Sequence, residues 1–452
     1  MEKPLKIALV SPKGPLYRRR GGIFKQSLRY MPLTFPTLVA LIPDDIPVQV
    51  TCYDEGIEDI PTRLDVDLVG MTVITGCAPR AYELARYYRK QGITVVLGGP
   101  HVTLVPDDAQ PHADSIVVGY AEEEWPRLLR DFTNGYMKPR YIQSPNLELA
   151  DPPLPKRKVL PRWKYLTADV FEATRSCIHA CEFCVAPSAW GRKQLQKPVA
   201  HLIDDMRSMK TRKAIFVDLN LISDRDYALE LFTAITPLGI QWYGLSTTLL
   251  CNDLELLDTA SRSGCRGLLM GLESINKQNL RGIGKGFNKP EDYARIVDLL
   301  HQRNIALQGC FVFGFDSDTE DVFERTAQLA VDARIDLPRF AIVTPFPGTP
   351  LFNRLESEGR IVDRNWSNYD GQHVVFRPSN MNASRLQEGT AKAWRIAYSW
   401  RNMAKRLRSS AAPWYVTALT NLGYRYYAYR LDQYYSCDWF LGLDDATGMM
   451  HK

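Results

Sequence analysis

A chain of 452 residues exceeds the ~250–300 residues at which a single core stops growing, so two or three domains are expected. Its 45% hydrophobic and 24% charged content is ordinary globular usage and excludes a disordered chain. A formal charge of +5 on 56 basic and 51 acidic side chains excludes the concentrated basic footprint of a dedicated nucleic-acid binder.

No run of ~18 apolar residues is present to span a bilayer, and the run Ile7–Val10 is too short for a signal-peptide core of ~7–15 residues. A soluble cytoplasmic protein is therefore expected. Nine cysteines then point to a reducing compartment with free or metal-bound thiols. Six are scattered (Cys52, Cys77, Cys251, Cys265, Cys310 and Cys437) and read as small buried fillers.

In chain order, short β-branched runs come first: Ile7–Ser11, Val48–Tyr53, Asp67–Ile74, Thr94–Gly99 and Ser115–Gly119. Between the third and fourth lies Pro79–Gln91, where Ala81, Leu84, Ala85 and Tyr88 recur at helical spacing. This alternation predicts an α/β, doubly wound, Rossmann-like domain over residues 1–137. Its ligand loops would be Ser11–Leu16, Thr72–Ala78, Gly98–Thr103 and Gly119–Glu123, at the carboxyl ends of the strands. The Pro-rich stretch 138–165 reads as an extended linker.

A second β/α series runs through Ala214–Leu219, Gln241–Ser246, Gly267–Gly271, Ala306–Phe313 and Arg339–Val343, with helical patterns at Tyr227–Thr236, Asp253–Ser263 and Pro290–Arg303. It predicts a full or partial (β/α) barrel over 166–370. Residues 371–452 read as mainly helical and are rich in Tyr, Trp and Arg, as in Trp394–Arg408 and Tyr424–Tyr435. A cap on the barrel, a substrate-facing surface and a membrane-surface patch are all open there.

The segment Thr174-Arg-Ser-Cys177-Ile-His-Ala-Cys181-Glu-Phe-Cys184 places three thiols within eight residues, after a short predicted strand Asp169–Thr174. Three protein ligands leave one iron of a cubane open, whereas electron-transfer clusters are usually closed by four. Zinc on these cysteines and His179 is the alternative, but structural zinc sites usually add a second cysteine pair, which is missing. His179 reads as a turn residue.

The pattern C-x3-C-x-Phe-C resembles the signature of the radical S-adenosylmethionine superfamily. The resemblance implies a [4Fe-4S] cluster on Cys177, Cys181 and Cys184 that binds S-adenosylmethionine at its open iron. Further motifs resemble that family in order: Asp218 and Asn220, then Ser246 and Thr247, then Gly271-Leu-Glu273-Ser, and Lys285 in Gly284-Lys-Gly. By resemblance, Phe183, Asp218, Asn220, Ser246 and Glu273 contact S-adenosylmethionine.

Upstream, Gly70-Met-Thr72, Val95-Val-Leu-Gly98-Gly-Pro-His101 and Val118-Gly119-Tyr-Ala-Glu122 resemble the B12-binding domain fused ahead of many such enzymes. This implies cobalamin contacts at Thr72, Thr75, Gly98, Gly99, His101 and Gly119. Glycines at strand ends let backbone approach a large ring without Cβ clashes. Two departures stand out. Ser11-Pro-Lys-Gly-Pro15 replaces the pattern Asp-x-His-x-x-Gly, so no histidine is expected beneath cobalt from that loop, and Tyr120 stands where many relatives carry Glu.

The combination resembles cobalamin-dependent radical S-adenosylmethionine methyltransferases acting on an unactivated carbon of a small molecule or natural product. Such a cycle consumes two molecules of S-adenosylmethionine, one renewing the methyl group on cobalamin and one yielding the radical that removes a substrate hydrogen. A bulky apolar substrate and an electron donor such as flavodoxin or ferredoxin would be its partners. A non-methylating cyclase or ring-rearranging enzyme, and a non-catalytic iron–sulfur sensor or scaffold, are the alternatives. The basic run Arg18–Arg20 reads as a solvated loop, or as a contact for an anionic substrate group.

Overall fold

Continuous apolar runs such as Ile7–Val10 are buried on both sheet faces, as expected of a parallel strand covered by helices. In the computed structural model, which describes residues 3–14, 27–167, 169–408, 410–411 and 414–431, six strands form this first sheet. They are β1 (Leu5–Ser11), β2 (Val48–Asp54), β3 (Leu68–Thr72), β4 (Thr94–Gly98), β5 (Ser115–Val118) and β6 (Arg140–Ile142). Their order is β2-β1-β3-β4-β5-β6, with every pair parallel. The order reverses between β1 and β3, so a crevice opens above those carboxyl ends.

The strand β6 lies inside the stretch expected as linker. It pairs with Ile116–Val118, and a three-residue edge strand is too short to leave a periodic signal. The rest of the Pro-rich stretch is docked rather than free. The Lys156 N–H donates to Pro36 O at 3.0 Å, and Arg157 pairs with Asp205 at 2.6 Å.

The second sheet holds β7 (Val170–Phe171), β8 (Lys213–Phe216), β9 (Gln241–Ser246), β10 (Cys265–Glu273), β11 (Ala306–Phe313) and β12 (Arg339–Ile342). These neighbour one another in sequence order, all parallel. Among the described residues β7 and β12 form the two edges, which makes this a partial barrel. Asp224 and Asp253 start two of the outer helices, accepting from the N–H of Tyr227 at 3.1 Å and of Leu256 at 3.0 Å. The barrel core is aromatic: Trp242 lies 5.5 Å from Phe216 and 5.2 Å from Phe232.

Three helices follow: Ala383–Ala397, Trp400–Leu407 and Trp414–Ala428. The pattern Trp394–Arg408 is split at Ser399, whose hydroxyl accepts from the Asn402 N–H at 3.4 Å. The first helix caps the barrel edge, with Trp394 Nε1 donating to Phe340 O at 2.9 Å and the Tyr398 hydroxyl donating to Pro338 O at 2.8 Å. Two short pairings carry no sequence signal: Ser27–Tyr30 with Tyr165–Thr167, and Thr174–Arg175 with Leu195–Gln196. Arg18–Arg20, Cys437 and the end of Tyr424–Tyr435 lie outside the described residues.

Candidate active site

The cysteine loop begins where Ser176 takes φ +69°, in the left-handed region, and turns the chain out of Thr174–Arg175. Its hydroxyl donates to Gly191 O, closing the loop around the thiols. The Cys184 N–H donates to Cys181 O at 3.0 Å, and Cys184 then leads into the helix Val185–Trp190. Gly284 packs on the loop from the other side. With φ +78°, it leaves only 3.1 Å between an added Cβ and Ala180 O.

Next to Gly284, Lys285 pairs with Glu273 at 2.6 Å; Glu273 is buried and Lys285 mostly so. Glu273 itself sits at φ +65°, a costly conformation for a residue with a side chain. Gly271 makes the pair possible, since a Cβ there would lie 2.0 Å from Glu273 Oε1 and 2.6 Å from Lys285 Nζ. Burial pushes the Cys181 thiol up to about 11 and raises that of Cys184, with the Lys285 charge opposing both. Burial, followed by the Lys285 and Arg192 charges, lowers His179, whose ring lies 4.9 Å from Phe287.

Among the described residues, no three His, Cys, Asp or Glu side chains converge on a single-ion position. A tetrahedral zinc site needs such convergence. A cubane does not, because each cysteine binds a different iron. Three thiols on one closed loop, beside a buried cation that offsets an anionic cluster, therefore fit the cluster.

The barrel strands deliver polar groups to the same end. Asn220 Oδ1, beyond β8, and Thr247 Oγ1, beyond β9, are buried without a hydrogen-bond partner. Buried polar atoms are normally paired, so these two fit a polar ligand such as S-adenosylmethionine. Ser246 is also buried here, with its hydroxyl donating to Thr247 O at 3.2 Å.

Asp218 differs from expectation. Its carboxylate accepts from the Ala173 and Thr174 N–H groups and from Thr174 Oγ1 at 2.8 Å, so it clamps the strand entering the cysteine loop. Phe183 lines a cavity of about 170 Å³ with Ile283 and Phe315, behind the cysteine loop.

The crevice of the first sheet faces the barrel and forms a cleft of about 400 Å³. Thr72, Gly98, Gly99 and Gly119 line it. Gly119 at φ +93° has Gln143 only 2.5 Å from an added Cβ, whereas a Cβ on Gly98 would meet nothing closer than 3.7 Å. Gly99 at φ +104° is likewise crowded, with Val73 N 2.8 Å from an added Cβ, so Gly99 and Gly119 keep the backbone of this edge free of side chains.

Two expected contacts are corrected. His101 is fully buried away from the cleft, with Nδ1 3.3 Å from Thr75 Oγ1 and Nε2 3.0 Å from the Tyr82 hydroxyl and 3.2 Å from Asp108. Thr75 is its partner and does not line the cleft. No histidine is among the lining residues.

The cleft wall also holds residues that the sequence did not single out. Tyr120 stacks on Trp190 at 4.4 Å, and Arg175 lies 4.8 Å over the Tyr120 ring. Arg175 pairs with Glu122 and with Glu172, the latter at 2.8 Å, while Lys197 reaches Glu172 at 2.9 Å. Burial opposes ionisation of Glu172, but the Arg175 and Lys197 charges outweigh it and pull the carboxyl down to about 2. Tyr120 and Glu122 lie in the Val118–Glu122 motif and Arg175 in the cysteine segment, whereas Trp190, Glu172 and Lys197 belong to no motif.

Residues 41–129 match the B12 binding domain, 171–330 the radical SAM superfamily and 349–430 a domain of unknown function. The bacteriochlorophyllide d C-12(1)-methyltransferase of Chlorobaculum tepidum is 32% identical, over 81% of this chain and 82% of its own. The chain belongs to the cobalamin-dependent radical S-adenosylmethionine methyltransferases. This family works with a [4Fe-4S] cluster, S-adenosylmethionine and cobalamin.

The hopanoid C-2 methylase of Rhodopseudomonas palustris is 25% identical, over 79% of this chain and 72% of its own. An anaerobic magnesium-protoporphyrin IX monomethyl ester cyclase of Rubrivivax gelatinosus is 23% identical, over 76% and 67%. The fold matches TsrM, a radical S-adenosylmethionine methyltransferase from Kitasatospora setae, with a TM-score of 0.69, 16% identity and coverage of 95% and 100%. The chain is thus an enzyme of the methyltransferase class acting on carbon, rather than a scaffold.

Of the scattered cysteines, Cys77, Cys251 and Cys265 are buried as expected, while Cys52 and Cys310 are only partly so.

Proposed function

We propose that this methyltransferase acts on a carbon of a large, mainly apolar small molecule of the tetrapyrrole class. The observation that carries the reading is the cleft between the two sheets. Its wall includes Arg175 and Trp190, the residues that bracket the cysteine loop, so the cobalamin and cluster sites share one partition. In support of the substrate class, relatives that are 32% identical over 81% and 76% of the chain methylate bacteriochlorophyllide d.

In this reading Cys177, Cys181 and Cys184 hold the cluster. Asn220, Ser246 and Thr247 face S-adenosylmethionine, and Thr72, Gly98, Gly99 and Gly119 hold cobalamin. Bound there, the cluster and S-adenosylmethionine supply one-electron radical chemistry, and cobalamin supplies the methyl group.

The chain's own residues position and exclude. Glu273 orients Lys285 beside the thiols, and Asp218 fixes the strand that feeds the loop. Tyr120 stacked on Trp190 keeps water out of the partition. An electron carrier such as flavodoxin or ferredoxin would reduce the cluster.

The test is anaerobic reconstitution with methyl-labelled S-adenosylmethionine and bacteriochlorophyllide d, set against a hopanoid and a polar acceptor. Label is expected in the tetrapyrrole, together with 5′-deoxyadenosine. Label in another acceptor alone would overturn the substrate class. Cys181→Ala should lose both cluster absorbance and 5′-deoxyadenosine release, and retention of either would overturn the cluster assignment.

A further inference from the structure

The helix Trp414–Ala428 packs Tyr424 and Tyr427 against Trp394, yet it also presents large apolar side chains on its outer side. Its inner face carries Thr417, Asn421, Tyr424 and Ala428, spaced as helical neighbours, and is held by polar contacts. Asn421 Oδ1 accepts from Arg406 at 2.8 Å, its amide donates to Asp336 O at 3.3 Å, and Gln308 Nε2 donates to the Tyr424 hydroxyl at 2.9 Å.

The face left to solvent is the apolar one. Trp414 is 76% exposed and Leu419 68%, and Tyr415, Leu422 and Tyr429 continue the stripe along the helix. Positions 415, 419, 422, 426 and 429 follow the spacing of a single helix side.

Along the chain the charge of this region has one sign, although Glu324 and Asp332 from a barrel helix pair with Lys392 and Lys405. From Gly389 to Leu431 there is no Asp or Glu, while Lys392, Arg395, Arg401, Lys405, Arg406, Arg408, Arg425 and Arg430 all fall within it. That local excess is larger than the +5 of the whole chain, so the rest of the molecule is slightly acidic. Arg401 and Lys405 are exposed on the adjoining helix Trp400–Leu407, and Arg408 is exposed just after it. Arg425 lies 4.4 Å over both the Trp400 and Tyr429 rings. Aromatic rings with Leu at an apolar surface, bordered by exposed basic residues in excess, are the chemistry of an interfacial helix on an anionic bilayer. No helix among the described residues is long and apolar enough to cross one.

We propose that the helix Trp414–Ala428, with the basic helix before it, docks this enzyme peripherally on an anionic lipid bilayer. The stripe enters the interface and Arg401, Lys405 and Arg408 meet the headgroups. The inference stands on this surface alone and is independent of the substrate class.

The test uses the full chain loaded with its cofactors, floated with vesicles of phosphatidylcholine alone or mixed with phosphatidylglycerol. Binding is expected only to the mixed vesicles, weakening as salt shortens the Debye length below about 8 Å. Blue-shifted Trp fluorescence that is quenched by brominated lipid should accompany it. Tyr415→Gln, Leu419→Gln and Leu422→Gln together should abolish flotation while cobalamin loading and far-ultraviolet dichroism stay unchanged. Arg401→Gln, Lys405→Gln and Arg408→Gln should lower vesicle affinity on the order of tenfold or more.

Absence of flotation overturns the proposal, as does equal flotation of the triple variant. A concentration-dependent dimer that hides Trp414 would assign the stripe to a second copy. Binding seen only after removal of residues 432–452 would assign it to that segment.

Discussion

At the scale of single residues, two side chains that resembled ligands are hydrogen-bonded to protein groups in the structure. His101 keeps both ring nitrogens in contact with protein groups, so His101→Gln should leave the absorbance of bound cobalamin unchanged. It should lower stability by about 1–3 kcal/mol, because buried polar partners lose their bonds. A changed cobalt spectrum in this variant would show that His101 is a ligand after all.

Asp218 makes a pH prediction. Burial and then the Glu172 charge raise its carboxyl to about 7, against the hydrogen bonds from Thr174 and Ala173. A carboxyl with a raised folded pKa favours folding most at low pH and loses that contribution as pH climbs from its unfolded to its folded value. The Asp218 contribution therefore falls between 3.8 and about 7. Glu172 runs the other way, contributing above 4.5 and losing this as pH falls to about 2. Asp218→Asn should flatten the decline of the urea midpoint across that upper window. An unchanged pH slope would mean that the carboxyl is not buried as described.

At the scale of elements, the loop after β5 and the helix after Cys184 are joined by one aromatic pair. Tyr120 and Trp190 lie nearly parallel at 10°, and such pairs contribute about 0.5–1.5 kcal/mol beyond their buried area. Trp190→Ala should cost about that in stability and should also open the cleft wall. The expected readout is faster loss of cobalamin on desalting, with the cluster absorbance kept. Equal retention of cobalamin would remove Trp190 from the cleft's function. The sequence could not show this pair, because its members are 70 positions apart on separate units and, although Tyr120 lies in the Val118–Glu122 motif, Trp190 falls in none.

At the scale of the whole molecule, several contacts tie the two sheets and the carboxyl-terminal region into one body. The buried pair Arg157–Asp205 joins the Pro-rich stretch to a barrel helix. The His101 ring lies edge-on to Trp366 at 5.7 Å, and a Cβ at Gly348 would come within 2.9 Å of Leu104 O. Removing one partner of a buried ion pair typically costs about 3–5 kcal/mol. Asp205→Ala should therefore lower the thermal midpoint by several degrees, and cobalamin release and barrel unfolding should separate. A single unshifted transition would show that the pair does not hold the two units together.

The sequence by itself determined the two parallel sheets, the cysteine triad and the glycine edge of the cleft. Each is written locally: a run of apolar residues sets a buried strand, three thiols within eight residues must share a loop, and glycine at a strand end concerns its own backbone. Only the tertiary structure decided which buried polar residues are paired within the protein and which are left with an unpaired atom. Asp218 and Asn220 are two positions apart, yet one carboxylate is satisfied by Ala173 and Thr174, just beyond β7, while the other side chain keeps an unpaired oxygen. That distinction depends on partners distant in sequence, and hydrogen-bond satisfaction in a buried site follows from packing rather than residue type.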